Sequence, residues 1–532
     1  MGLSKQVHLF SVATDAFYDE PEQFRHKRLL KLYKARQQED IPNWRKRAVN
    51  RVIKMEKEEL SALLDRHLEL HEPRQLNQEA LCDKNVISLF ESTLTRSLGL
   101  KTNELTKDLI ILNVFFFQVF EDLVKYGFMS NGEKYVFLTA SAGQIRTKRA
   151  VFIKESAYDK IRLKLMGGLT IEEINAHSGI NTNKFLAYLS LNNSATEIWQ
   201  EFDIDKSIVV DDFETEVMGE VDHIDGETYQ IKRECRGTPI PHFDGCGLML
   251  EEKTRMVRMP WMKGLLVTMP FDKFIKEKCP GGKAIIKDLY GKEHDILGEG
   301  IRYIFTASQF KLWKYYDSWD DYKERFKKYG CEAAYCNIEE DYIPKSRINY
   351  QMLQTLSDMT DDEIQRLIKP TCEEIENIGQ DFQVTMRLLG ATEYNKNPSY
   401  FQEALQIYPE LFRDPYCRDI LKQTKKSLIK QAKGGRLRVN GIYTFLSPDL
   451  YAFCEWLFLG DEDPKGLLEN GEVYCNQYRE GDEVACLRSP HLYREWPIRI
   501  NRRTEELDKW FGSTKSVYTS CHDLISRILQ FD

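Results

Sequence analysis

The stretch from residue 205 to residue 320 sets the tightest limit on the fold. "VMGEVDHIDGETYQIKRE" reads as strand texture around a turn at Asp225-Gly226. "GLMLEEKTRMVRMPWMKGLLVTMPF" carries two apolar strands with charges between them. "FDKFIKEKC" has the spacing of one short helix, and "KAIIKDLYGKEHDI" is strand and turn again. Short strands mixed with short helices predict a compact barrel, not an open parallel sheet.

Helical texture flanks this unit. "PNWRKRAVNRVIKMEKEELSALLDRHLELH" combines helical spacing with strong helix formers. "LIILNVFFFQVF" (109–120) reads as a buried helix; with Asn113 and Gln118 inside, it is too short to span a bilayer. "LTIEEINAHSGINTNKFLAYL" opens on a capping box, Thr170 to Glu173, and breaks at Gly179. Its outline is that of a helix-turn-helix, but the second helix offers phosphate only Lys184. Helices return from about 318 to 435, with a second capping box from Thr360 to Glu363. Strand texture resumes after Gly434-Gly435. The expected fold class is α+β: a helical region 1–204, a β unit 205–320, a helical connector 321–435 and a second β unit 436–532.

Charge narrows the function classes. The 532-residue chain carries a net −8, so any polyanion site must be local. Cations collect at Arg45, Lys46, Arg47, Arg51 and Lys54, where a solvated face is the bland reading. They collect again, with no acid between them, at Lys422, Lys425, Lys426, Lys430, Lys433, Arg436 and Arg438, where a solvated face is again the bland reading. A third group is Arg488, Arg494, Arg499, Arg502 and Arg503, interrupted by Pro490 and Pro497. The twelve cysteines include no Cys-x-x-Cys, which speaks against a structural zinc site and fits a reducing cytoplasm. The N-terminus does not read as a signal peptide or a myristoylation site. Phosphate-cradling Gly-x-x-x-x-Gly-Lys, nucleophile-elbow and His-Glu-x-x-His patterns are missing.

"LRSPHLYRE" (487–495) resembles the Arg-x-Pro-x-Leu-x-Arg pattern that precedes the Asp-x-Asp-Gly-Asp metal loop in the large subunit of cellular RNA polymerases. "ILQFD" resembles the start of that loop, with Phe531 and Asp532. "HFDGCG", "RMPWMKGLL", "TASQFKLWKYYDSW" and "SRINYQMLQTL" are similar to linked landmarks of the single-chain relatives. These are the phage RNA polymerases and the RNA-dependent RNA polymerases of RNA silencing. "YVFLTASAGQIRTKRAVFI" resembles the segment before their first barrel.

The resemblance implies two facing double-psi β-barrels, the second incomplete, and nucleotidyl transfer from nucleoside triphosphates to an RNA 3′-hydroxyl with two Mg²⁺ ions. Lys263 and Lys311 would face the triphosphate, Arg488 the incoming nucleotide, and Asp532 a metal ion. Arg494 and Arg499 would touch the nucleic-acid backbone or brace the loop, and Lys425, Lys426 and Lys430 would contact nucleic acid. Asp244, a lone carboxylate, reads as a turn residue. The chain is expected to be cut inside its catalytic loop, inactive alone, with a C-terminal half as partner and no membrane association. The template, DNA or RNA, stays open. The other reading is a non-catalytic nucleic-acid-binding or interaction protein on the same scaffold.

Overall fold

Among the described residues, three larger sheets stack through two shared hydrophobic cores in an α+β arrangement. The structure is a computed structural model that describes residues 6–37, 42–141, 143–144, 147–354, 356–395, 398–488 and 496–523. None of its helices is long and apolar enough to cross a membrane.

The first sheet corrects the reading of 1–204 as a helical region. Its strands are β1 (Gln6–Ala13), β2 (Arg74–Gln75), β3 (Val86–Phe90), β4 (Leu105–Asn113), β5 (Phe128–Ser130), β6 (Glu133–Thr139) and β7 (Arg149–Lys154). They lie in the order β2-β5-β6-β7-β4-β1-β3. Helices α1 (Glu20–Arg36), α2 (Asn43–Leu70) and α3 (Phe117–Tyr126) cover one face. The apolar run expected as a helix is β4 followed by α3. Ile110 and Leu112 pack under these helices, whereas Leu109 and Ile111 join the core shared with the next sheet. A strand buried on both faces shows an unbroken apolar run, which periodicity does not separate from a buried helix.

The second sheet holds β8 (Glu197–Ile198), β9 (Ser207–Val210), β12 (Cys246–Met249), β13 (Arg255–Met259), β14 (Met262–Thr268), β17 (Tyr303–Thr306) and β18 (Ala334–Ile338). Two hairpins interrupt it, β10 (Glu214–Ile224) with β11 (Ile231–Pro241) and β15 (Ile285–Lys287) with β16 (Glu293–Asp295). The sheet order is β8-β18-β13-β14-β12-β17-β9. Alternation assigns its two faces. Val257, Met259, Met262 and Leu266 face the N-terminal sheet. Cys246, Leu248, Leu265 and Val267 face the other way, with helix α4 (Phe271–Lys278).

Helices α5 (Asp361–Glu376) and α6 (Pro415–Lys433) belong to the connector, which the antiparallel pair of β19 (Lys345–Ile348) and β20 (Leu437–Ile442) closes. The capping boxes at Thr170 and Thr360 form as their spacing predicts.

The third sheet comprises β21 (Leu446–Pro448), β22 (Glu472–Tyr474), β23 (Glu483–Ala485), β24 (Ile498–Asn501) and β25 (Val517–Thr519), with helices α7 (Leu450–Cys454) and α8 (Glu505–Phe511). Its order is β21-β25-β22-β24-β23: parallel, antiparallel, parallel, antiparallel. The run β9-β17-β12-β14-β13 of the second sheet has the same chain order and the same polarities. The two β units therefore repeat one topology. Each also carries an aspartate just after its first strand, Asp212 and Asp449, whose carboxyl burial pushes upward in pKa.

The units share one core rather than touching at a wet interface. Phe243 stacks on Phe453 with centroids 4.2 Å apart, and Phe274 meets Trp510 edge-on. Phe453→Ala is expected to cost about 3–5 kcal/mol, and urea unfolding should show both β units melting in one transition. Two separate transitions, only one of them shifted, would mean that the units fold independently.

Candidate functional site

Three of the sequence motifs converge on one buried side chain, Gln309, which is 1% exposed. Its Oε1 accepts from the Thr306 amide at 3.1 Å, and its Nε2 donates to the carbonyls of Leu265 (3.1 Å) and Gly245 (3.3 Å). The amide group thus ties "HFDGCG", "WMKGLL" and "TASQFK" together. Close approach demands glycine on both sides. A Cβ on Gly264 would stand 2.3 Å from Gln309 Nε2, and one on Gly247 would stand 2.6 Å from its Oε1 and 2.4 Å from the Ile304 carbonyl. Ser308 adds a second tie. Its amide and hydroxyl donate to the Asp212 carboxylate at 2.8 and 2.5 Å, and its oxygen accepts from the Gly245 amide at 2.8 Å. Burial raises the Asp212 pKa, the Ser308 bonds oppose that, and the charge of Asp244 adds to it. Asp244 itself lies in the turn before β12, as expected.

This knot brings Lys263 and Lys311 together. Met262 and Phe310 form an antiparallel bridge, and the Lys311 amide donates to the Trp261 carbonyl at 2.8 Å. The two lysines flank that bridge. Lys263 is exposed, and by alternation it stands on the face of β14 that looks toward the third sheet. Directly opposite it, across the β13–β14 hairpin, is Arg258. The Arg258 guanidinium donates to the Val257 carbonyl at 2.8 Å, while its buried Nε has no partner among the described residues. Burial lowers its pKa, which marks a desolvated cation with no carboxylate paired to it among the described residues. Sequence reading passed over Arg258. The signal was the two-residue turn Pro260-Trp261, which puts residues 258 and 263 in register.

The other expected residues fall elsewhere. Arg488, half-buried, leaves the end of β23, on a different element from the lysine pair. Arg499 holds the buried Asp523 with two forked bonds, one of them 2.8 Å long. Arg502 pairs with Glu472 and Glu480, and Arg503 with Asp508. Arg499, Arg502 and Arg503 of the third cationic group therefore brace their own unit. Arg494 and Asp532 lie outside the described residues. Among those described, no group of three or more His, Cys, Asp or Glu could hold a metal ion. On α6, Lys426 and Lys430 share an exposed stripe with Lys422, on the side away from buried Cys417; Lys425 is half-buried and off that stripe.

A cleft of about 870 Å³ opens between the two β units, but not at the lysines. Its lining includes Thr268, five residues along β14 from Lys263 and so about 17 Å away. Its charges are largely answered internally, as by Lys253 with Asp341 at 2.6 Å. The lysine pair depends instead on the Gln309 knot. Gly264→Ala should cost about 1–3 kcal/mol by driving a methyl against Gln309 and the Gly245 carbonyl; a thermal melt matching the parent would contradict this packing.

No family model matches the chain. A relative among curated proteins, the DNA-directed RNA polymerase YonO of Bacillus phage SPbeta, is 49% identical to it over 539 aligned residues. The alignment takes in 100% of this chain and 63% of that protein, so the chain spans just under two thirds of the length of the phage polymerase it matches from end to end.

Proposed function

We propose that this chain is the nucleotide-facing part of a DNA-directed RNA polymerase. The observation that carries the reading is the pairing of Lys263 and Lys311 on one bridge, with Arg258 opposite, on the face turned toward the second β unit. The likeness to a phage DNA-directed RNA polymerase supports it and favours DNA as the template. The repeated strand order supports reading both units as double-psi β-barrels.

In this reading the lysine ammonium groups act as compact charges against triphosphate oxygens. They hold the β- and γ-phosphates while the RNA 3′-hydroxyl attacks the α-phosphate in line, and they stabilise the negative charge that develops on the departing pyrophosphate. Arg258 adds a fork of donors at the same edge. Its partial burial strengthens its pull on an anion, because water competes less. Arg488 faces the nucleotide sugar from the second unit. The α6 stripe of Lys422, Lys426 and Lys430 contacts nucleic-acid phosphate, and Arg499 serves as a brace through Asp523. Mg²⁺ enters this reading through Asp532, and supplies charge for the transferred phosphoryl group when bound.

The test is template-dependent RNA synthesis by the complete protein, this chain with any downstream polypeptide joined to it. Lys263→Ala and Lys311→Ala should each lower kcat/KM for nucleoside triphosphate by about 10²–10³-fold, with Arg258→Ala falling in the same range. Parental kcat/KM in both lysine variants would remove these residues from the site.

A further inference from the structure

We propose that the α1–α2 hairpin is an arm that binds the backbone of duplex DNA, separate from the lysine site. The choice of DNA over RNA rests on the polymerase reading above; the choice of a polyanion does not. In sequence only the start of α2 stood out as basic. The structure folds α1 back on α2, so Lys31, Lys34 and Arg36 at the end of α1 meet Arg45, Arg47 and Arg51 at the start of α2. All six are exposed, and none has an ion pair among the described residues. The joining residues include only two acids, Glu39 and Asp40. This is a dense cationic tip on a chain of net charge −8.

The base of the same hairpin is treated differently. There Arg25 pairs with Glu56 and Glu59, Arg28 with Glu56, and buried Glu22 holds buried Arg74. Carboxylates neutralise the cations that fix the hairpin to its sheet and leave those at the tip alone. α2 also opens with no acid in its first turn and no capping side chain on Pro42. Cations at a helix start oppose the helix dipole, so this arrangement disfavours the isolated helix and favours an anion beside it.

The hairpin buries Leu29, Ile53, Leu60 and Leu64 against the first sheet and exposes Phe24, Leu30, Trp44 and Met55. These four are spread along the two helices among charged residues and do not make the continuous apolar face that insertion at a membrane surface needs. Two rigid helices hold charges at fixed spacing, which suits a stiff duplex. A single strand would call for a row of stacking aromatics, whereas among the described residues of the tip the exposed aromatic is Trp44 alone.

The experiment measures binding of the whole chain to a fluorescent DNA duplex across a salt series. Lys34→Gln, Arg36→Gln, Arg45→Gln and Arg47→Gln are combined in one variant, all at exposed positions that glutamine occupies in a helix without strain. The slope of log affinity against log salt should fall by about 3–4. A control with four exposed lysines neutralised elsewhere, at Lys283, Lys287, Lys314 and Lys328, should keep the parental slope. An unchanged slope in the hairpin variant, or an equal fall in the control, overturns the proposal. So does loss of binding to anionic phospholipid vesicles with duplex binding kept, or the same loss of affinity for single-stranded RNA as for the duplex. Nucleotide incorporation by the complete protein on a short pre-melted scaffold separates the two readings. It should survive in the hairpin variant and fail in the lysine variants; failure of the lysine result alone leaves the arm standing.

Discussion

A single buried amide, that of Gln309, is the constraint on which the rest of the site depends. It joins three segments that are far apart in the chain, and it does so only because Gly247 and Gly264 leave room for it. An amide buried this deeply is costly unless its hydrogen bonds are made, so the three bonds and the two glycines require one another. The strand ends that carry Lys263 and Lys311 are fixed as a consequence. The central sheet can hold this edge still because both its faces are buried, one against the N-terminal sheet and one against the second β unit.

The repeated strand order gives the two units the same frame with different fittings. In each, an aspartate after the first strand, half-buried in the first unit and buried in the second, accepts bonds from a later segment, and Asp449 also caps the helix that follows it. Asp212 takes the amide and hydroxyl of Ser308, and Asp449 takes the amides of Tyr451, Ala452, Leu467 and Leu468. What differs is the charge presented. The first unit sets cations at the ends of β13 and β14. The second engages Arg499, Arg502 and Arg503 with its own carboxylates. Among the described residues, this acidic chain gathers uncompensated cations at the lysine edge, on the outer stripe of α6 and at the tip of the α1–α2 hairpin.

Motifs were legible in the sequence where a local rule governs them. The capping boxes at Thr170 and Thr360, the hairpin around Asp225-Gly226 and the short helix at 271–278 form where their spacing says they should. The N-terminal sheet was missed because β4 is buried on both sides and loses the alternation that identifies a strand. The site was legible as a set of motifs but not as a geometry. Cross-strand register brings Arg258 opposite Lys263, and neither composition nor helical spacing records that. The arginine-rich run 488–503 looked like a polyanion surface because the acids that answer it are tens of residues away in sequence, as Glu472 and Asp523 are. The shared strand order was invisible for a related reason: topology can repeat with no repeat in the residues.

The most direct test of the account is an experimental structure of the complete protein with a DNA template, an RNA primer and a non-hydrolysable nucleoside triphosphate. The account predicts triphosphate density within hydrogen-bond reach of Lys263 and Lys311 Nζ, at the edge held by Gln309. Triphosphate density in the mixed-charge cleft lined by Lys253, Asn476 and Lys515, about one strand length away, would contradict it.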